Sequence, residues 1–297
     1  MPTDCELKCN RCPQCDGFGC PNMLPGLGGV YDGKNFQLNY EGWRILRKNA
    51  ENTEVLDKIL SIKFTPHQIG CGPVTGSVEN IGYSKEEDFY YPYASNADKA
   101  GFQVCIGDGC PDEKLKLGIK AIKDLPSKNK AAFFLKPYPT DKLHERVEWV
   151  RPYAEYIGID IDSYNIATMR NLVHLEQKTA KQLEEFRNFS KLPFIIKGVF
   201  TDQDLELVKE VKPDVVYISN HGGRVETREG STAEFLAEHG KMLKNYCKEI
   251  WVDGGVRTKE DIQTAIYYGA DKVILARPFI IATVDEEYDK LVDKLIN

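Results

Sequence analysis

A closed (β/α)8 barrel, the TIM-barrel architecture, is the fold class this sequence predicts, behind an irregular Cys-rich N-terminal arm. Three observations predict it. Eight short apolar runs recur along the chain, each short enough to be a strand buried on both faces. Amphipathic helical stretches separate them, and strict strand–helix alternation implies a parallel sheet. The 297 residues suit a single barrel of this kind. A doubly wound open sheet is the alternative. It is weakened because no Gly-x-Gly-x-x-Gly follows the first strand.

In chain order, residues 1–60 read as a Cys/Gly/Pro-rich arm with a helical lead-in, and residues 61–297 as the barrel. Leu46, Ala50, Leu56, Ile59 and Leu60 give the lead-in a broken helical periodicity. The strand candidates are His67–Thr75, Phe102–Ile106, Ala131–Leu135, Tyr156–Ile161, Pro193–Lys197, Asp214–Ser219, Glu249–Val252 and Lys272–Ala276. Between them, Leu115, Ile119 and Ile122 share one helix face, as do Leu143, Val147 and Val150. Thr201 and Thr258 each precede an acid by three residues (Asp204, Asp261), a helix-start signature.

In such a barrel the chemistry sits at the C-terminal strand ends. The sixth strand ends in Ser219-Asn-His-Gly-Gly-Arg224. His221 can take a proton near neutral pH, and Arg224 can grip a carboxylate through two parallel hydrogen bonds. The seventh ends in Asp253-Gly-Gly-Val-Arg257 and the eighth in Ala276-Arg-Pro278. Gly254 and Gly255 just before a helix, with Arg257 and Arg277, form a candidate phosphate site. The fifth strand delivers Lys197 to the mouth, as a fixed cation or a Schiff-base lysine. The other histidines form no ligand-spaced pair.

These segments resemble the FMN-dependent α-hydroxy-acid oxidases and dehydrogenases, the family of glycolate oxidase, lactate oxidase and flavocytochrome b2. The resemblance runs from about Thr65 to Pro278. It is strongest in Leu192-Pro-Phe-Ile-Ile-Lys-Gly-Val-Phe-Thr201, Ile218-Ser-Asn-His-Gly-Gly-Arg224, Asp253-Gly-Gly-Val-Arg257 and Ala276-Arg-Pro278. It implies an FMN-binding barrel that oxidises a small 2-hydroxy acid to a 2-oxo acid. His221 would be the catalytic base, Asp160 its carboxylate partner, and Lys197 a cation at the flavin N1–O2 edge. Arg224 and Tyr138 would bind substrate. Gly72, Pro73 and Val74 would lie along the flavin ring, with Lys136 where the family has a glutamine. Asp253, Gly254, Gly255, Arg257, Ala276 and Arg277 would hold the phosphate end. The chain departs from the family at Val225-Glu-Thr227, where Gln-Leu-Asp is usual, and at Ala276, where the family has glycine. It also lacks the Gly-x-Arg-Arg stretch after Asp160. Two alternatives stay open: another FMN barrel enzyme, such as a type 2 isopentenyl-diphosphate isomerase, and a flavin- or metal-dependent sensor.

A net charge of −6 argues against nucleic acid as a partner. No apolar run reaches membrane-spanning length, and the first residues carry no apolar signal region. A cytoplasmic location, no membrane partner and a homo-oligomer are therefore expected, with an electron acceptor that need not be O2. Five of the nine cysteines fall in the first twenty residues. Cys9, Cys12, Cys15 and Cys20 have a spacing suited to zinc or an iron–sulfur cluster, or they are unligated thiols in a reducing compartment.

Overall fold

Runs such as Ala131–Leu135 and Phe194–Val199 are buried along their whole length, as strands covered on both faces must be. In the computed structural model, which describes residues 33–50, 54–164 and 173–296, each of the eight apolar runs overlaps a strand. The strands are β1 (Ile69–Cys71), β2 (Cys105–Gly107), β3 (Ala131–Leu135), β4 (Ala154–Asp160), β5 (Phe194–Val199), β6 (Val215–Ile218), β7 (Glu249–Val252) and β8 (Lys272–Leu275). Each pairs in parallel with its neighbours in the order β1-β8-β7-β6-β5-β4-β3-β2. The ring closes where Gln103, just before β2, bridges Gly70 in β1. Gln103 N–H donates to Ile69 O at 2.8 Å and Gln103 O accepts from Cys71 N–H at 3.0 Å. The open-sheet alternative is thereby excluded.

The helices are α1 (Lys34–Asn49), α2 (Glu54–Leu60), α3 (Glu87–Lys99), α4 (Glu113–Asp124), α5 (Thr140–Val150), α6 (Ala180–Ser190), α7 (Asp202–Val211), α8 (Thr232–Leu243), α9 (Lys259–Tyr267), α10 (Arg277–Val284) and α11 (Tyr288–Ile296). The expected starts at Thr201 and Thr258 are present. Each hydroxyl accepts from the backbone N–H three residues on, and the acid there accepts from the threonine N–H. Among the described residues no helix is long and apolar enough to cross a membrane.

Alternation along the strands sorts side chains between two cores. Phe134, Ile195, Val215, Tyr217, Trp251 and Ile274 belong to the smaller cluster, which fills the barrel. Their neighbours one residue away pack outward against the helices. The lead-in is not a separate piece. Trp43 of α1 is fully buried, and its indole N–H donates to Gly254 O at 2.7 Å. Helix α1 therefore belongs to the barrel body, although its sequence grouped it with the arm. The four candidate metal ligands Cys9, Cys12, Cys15 and Cys20 lie outside the described residues.

Candidate active site

Inward-facing residues at the strand ends build one polar layer across the mouth. Asp160 pairs in register with Lys197, and Lys197 with Tyr217. Leu135 pairs with Ile159, which sets Lys136 opposite Asp160 one residue on. The two Asp160 oxygens are divided: Oδ2 accepts from Lys136 Nζ and Oδ1 from Lys197 Nζ, both at 2.7 Å. All three residues are buried. Burial alone would raise the Asp160 pKa, but Lys136, Lys197 and His221 hold it well below the usual carboxylate range. Burial likewise opposes the Lys197 ammonium, and Asp160, Asp162 and Asp253 outweigh it and hold its pKa above the ordinary lysine value.

On the β6 side the chain turns tightly through Asn220–Arg224. His221 and Gly222 have φ of 56° and 65°, in the left-handed region that costs a non-glycine residue steric strain. This turn points the His221 ring back across the mouth. Its Nδ1 lies 3.1 Å from Asp162 Oδ2 and 3.2 Å from Oδ1, but 3.7 Å from the nearer Asp160 oxygen. The expected partner, Asp160, is thus displaced by Asp162. Both acids lie two residues apart on the same face, and Asp160 is occupied by the lysines. Arg224 curls over the turn, and its Nη1 donates to His221 O at 2.7 Å. Burial lowers its pKa to about 10, although Asp162 and Asp253 oppose this.

Asp253 closes the layer on the β7 side. Its Oδ2 accepts from Tyr217 Oη and Ser219 Oγ, both at 3.0 Å. Burial pushes its pKa up, against the pull of Lys197. Among the described residues its Oδ1 and Arg224 Nε are buried without a hydrogen-bond partner. Asp160, Asp162 and His221 bring ligand atoms within 4.8 Å of one another. With Asp160 already shared by two ammonium groups, that trio is a poor cation site.

Helix α1 forms the back of the β6–β8 half. Asn39 and Asn220 exchange amide hydrogen bonds at 2.7 and 3.0 Å, and Asn39 Oδ1 also accepts from Thr232 N–H. Gly254 and Gly255 have positive φ, and a Cβ on Gly255 would fall 1.9 Å from Asn39 O. Gly255 therefore admits the backbone of α1, and Gly254 the side chains of Thr232 and Asn39, requirements that the sequence, read for exposed amides alone, did not reveal. Arg277 is buried with its guanidinium 4.4 Å above the Phe36 ring. Arg257 N–H donates to Asp261 and its Nη1 to Val256 O. Gly72 sits against Ala276: its N–H donates to Leu275 O at 2.8 Å. Pro73 O packs so closely on Gly107 that a side chain there would clash at 2.4 Å, and Val74 N–H turns back to Gly72 O.

Tyr138 stands apart from His221. It is buried, with the Arg146 guanidinium 4.3 Å above its ring. Arg146 is itself fully buried and bridges Asp108 and Asp112. This ion-pair group, like Asp162, was not anticipated.

The family description "FMN-dependent dehydrogenase" matches residues 123–290, more than half of the 297 residues. The chain belongs to the FMN-dependent dehydrogenase family. Within that family, it is 39% identical over 108 residues to L-lactate dehydrogenase (cytochrome) of Saccharomyces cerevisiae, covering 35% of this chain and 18% of that one. It is 35% identical over 98 residues to 2-hydroxyacid oxidase 2 of Homo sapiens, covering 33% and 28%. The matched stretches thus span only 18% to 33% of the curated relatives' lengths. A flavocytochrome b2 variant superposes with a TM-score of 0.63 at 20% identity, over 89% of this chain and 74% of that one. At that identity the likeness speaks for the fold alone. Residues His221, Arg224, Asp253 and Arg277 all fall inside the segment matched by this FMN-dependent dehydrogenase description.

Proposed function

We propose that the protein binds FMN at the barrel mouth and oxidises a small 2-hydroxy acid to the 2-oxo acid. The observation that carries this reading is the His221 turn. One tight loop presents an imidazole backed by Asp162 and, three residues on, a half-buried guanidinium.

The residues present fit the cofactor. A buried unpartnered acceptor, Asp253 Oδ1, suits a ribityl hydroxyl. Arg257 and Arg277, with the loop at Asp253-Gly254-Gly255, suit the phosphate end. Gly72, Pro73, Val74 and Ala276 offer small side chains and backbone suited to a planar ring, and Lys136 and Lys197 offer cations to it. When bound, FMN supplies the two-electron acceptor.

The protein's own groups then have separable tasks. Arg224 holds the substrate carboxylate, and its buried Nε is the donor that the fold leaves for it. His221 has Nδ1 turned to Asp162, so Nε2 is the atom left to accept a proton from substrate. Asp162 stabilises the imidazolium that results. Anaerobic mixing with a panel of 2-hydroxy acids, following flavin bleaching, tests the reading. Bleaching by at least one member is expected, and none by any would remove the hydroxy-acid assignment. The spacing of Cys9, Cys12, Cys15 and Cys20 supports an iron–sulfur or zinc site in the arm. Protein purified without oxygen and containing neither iron nor zinc would end that part.

A further inference from the structure

Two ammonium groups share one buried carboxylate at the β3–β4–β5 end of the mouth. Lys136, Asp160 and Lys197 are 7%, 4% and 3% exposed. Two cations on one anion leave an excess positive charge in a place from which water is largely excluded. Such a charge is costly unless a further anion or polar acceptor arrives. Asp162 and Asp253 favour the Lys197 ammonium by charge at a distance, but neither accepts a hydrogen bond from either lysine among the described residues. Asp162 faces His221, and the bonded oxygen of Asp253 faces Tyr217 and Ser219. Each ammonium has three donors. Asp160 is the one hydrogen-bond acceptor of each among the described residues.

We infer that Lys136 is a second flavin-facing cation, and that Asp160 is a positioning residue that holds Lys136 and Lys197 as one unit beside the ring. This rests on the FMN reading above. The register places all three side chains in one inward row. A glutamine in place of Lys136 would present a neutral amide there; the lysine adds a full charge. A fixed positive charge favours the electron-rich, reduced form of a bound ring over the oxidised form. Lys136 therefore raises the tendency of the bound flavin to accept electrons. Asp160 moderates that effect while fixing where the charges sit.

The test uses the full chain loaded with FMN. It measures FMN affinity by fluorescence quenching and the flavin midpoint potential by anaerobic titration against reference dyes. Lys136→Gln is expected to retain FMN but shift the potential downward, with a several-fold loss of preference for reduced over oxidised FMN. Lys136→Arg should recover most of the shift. Asp160→Asn, which uncovers both ammonium groups, should move the potential the opposite way. A purely structural role for these residues would not produce shifts of opposite sign. An unchanged potential in Lys136→Gln, or shifts of the same sign in Lys136→Gln and Asp160→Asn, would overturn the inference alone. Wild-type protein that takes up no FMN would overturn the functional reading and this inference with it.

Discussion

The two halves of the barrel mouth solve the problem of burying charge differently. Around β3, β4 and β5, Lys136 and Lys197 are held directly by Asp160, each at 2.7 Å. Around β6, β7 and β8, Arg224 Nε and Asp253 Oδ1 are buried and left open, while α1 braces the backbone from behind. The first half is settled in position before any ligand arrives, with one ammonium in excess of the carboxylate. The second is held rigid by neutral amide contacts and keeps its charged valences for a ligand. Rigid support with open valences is what preorganised recognition requires.

The largest expected effect sharpens this contrast from the open half. His221→Ala should keep FMN but slow flavin bleaching by substrate by about 10²–10⁴-fold, the usual cost of losing a general base. Full-speed bleaching in that variant would place the proton acceptor elsewhere. The next effect comes from the settled half. Asp160→Ala strands two buried ammonium groups, and removing one member of a buried ion pair costs roughly 3–5 kcal/mol. Denaturant unfolding near neutral pH reads this directly. Because the folded-state pKa of Asp160 is depressed, its contribution is present above the unfolded carboxylate pKa, about 3.9. It is lost only as pH falls through the lower folded value. A variant as stable as wild type at pH 7 would mean that the triad is not held together by its charges.

A smaller loss is expected from the brace. Asn39→Ala leaves the Asn220 amide and Thr232 N–H without their buried partner, at roughly 1–3 kcal/mol. Flavin affinity should fall along with stability, since α1 backs the glycine turn; a stability loss with unchanged affinity would uncouple the brace from the site. The mildest effect is a titration. Burial brings the Arg224 pKa down to about 10, and arginine binds a carboxylate only when protonated. Affinity for a 2-oxo acid product should therefore be flat at neutral pH and weaken as pH rises through about 10. Arg224→Lys should weaken it at every pH, because lysine cannot reproduce the planar fork.

Local patterns were legible in the sequence, and long-range ones were not. The strands from Ala131 and Glu249 begin and end where their apolar runs do, because burial on both faces leaves no polar interruption. The caps at Thr201 and Thr258 were readable because their partners lie three residues away. The strand-end rule located His221, Arg224, Lys197 and Asp253. The choice between Asp160 and Asp162 was not readable. The two have the same parity, and only the lysines from neighbouring strands decide which acid remains for His221. The brace was hidden for a related reason. Asn35, Asn39 and Trp43 recur at i, i+4, i+8, a stripe too polar to read as a core face. Its partners are amides and carbonyls of distant turns. That mixed stripe was the available signal. Arg146 and Asp108 gave no comparable sign.

Helix α1 also imposes an order in time. Its hydrogen bonds to Asn220, Gly230 and Gly254 join residues 181, 195 and 211 positions apart. During synthesis the helix is made early, whereas the turns that receive it come much later. At roughly 5–20 residues per second, a gap of about 200 residues lasts about 10–40 s. A 16-residue segment of this kind is only marginally helical on its own. It must therefore wait, exposing Trp43 and two asparagines that have nothing to bond but water. These turns acquire their support only when β7 has formed and α1 folds back onto it. The support of these turns is accordingly a late event in the folding of the chain.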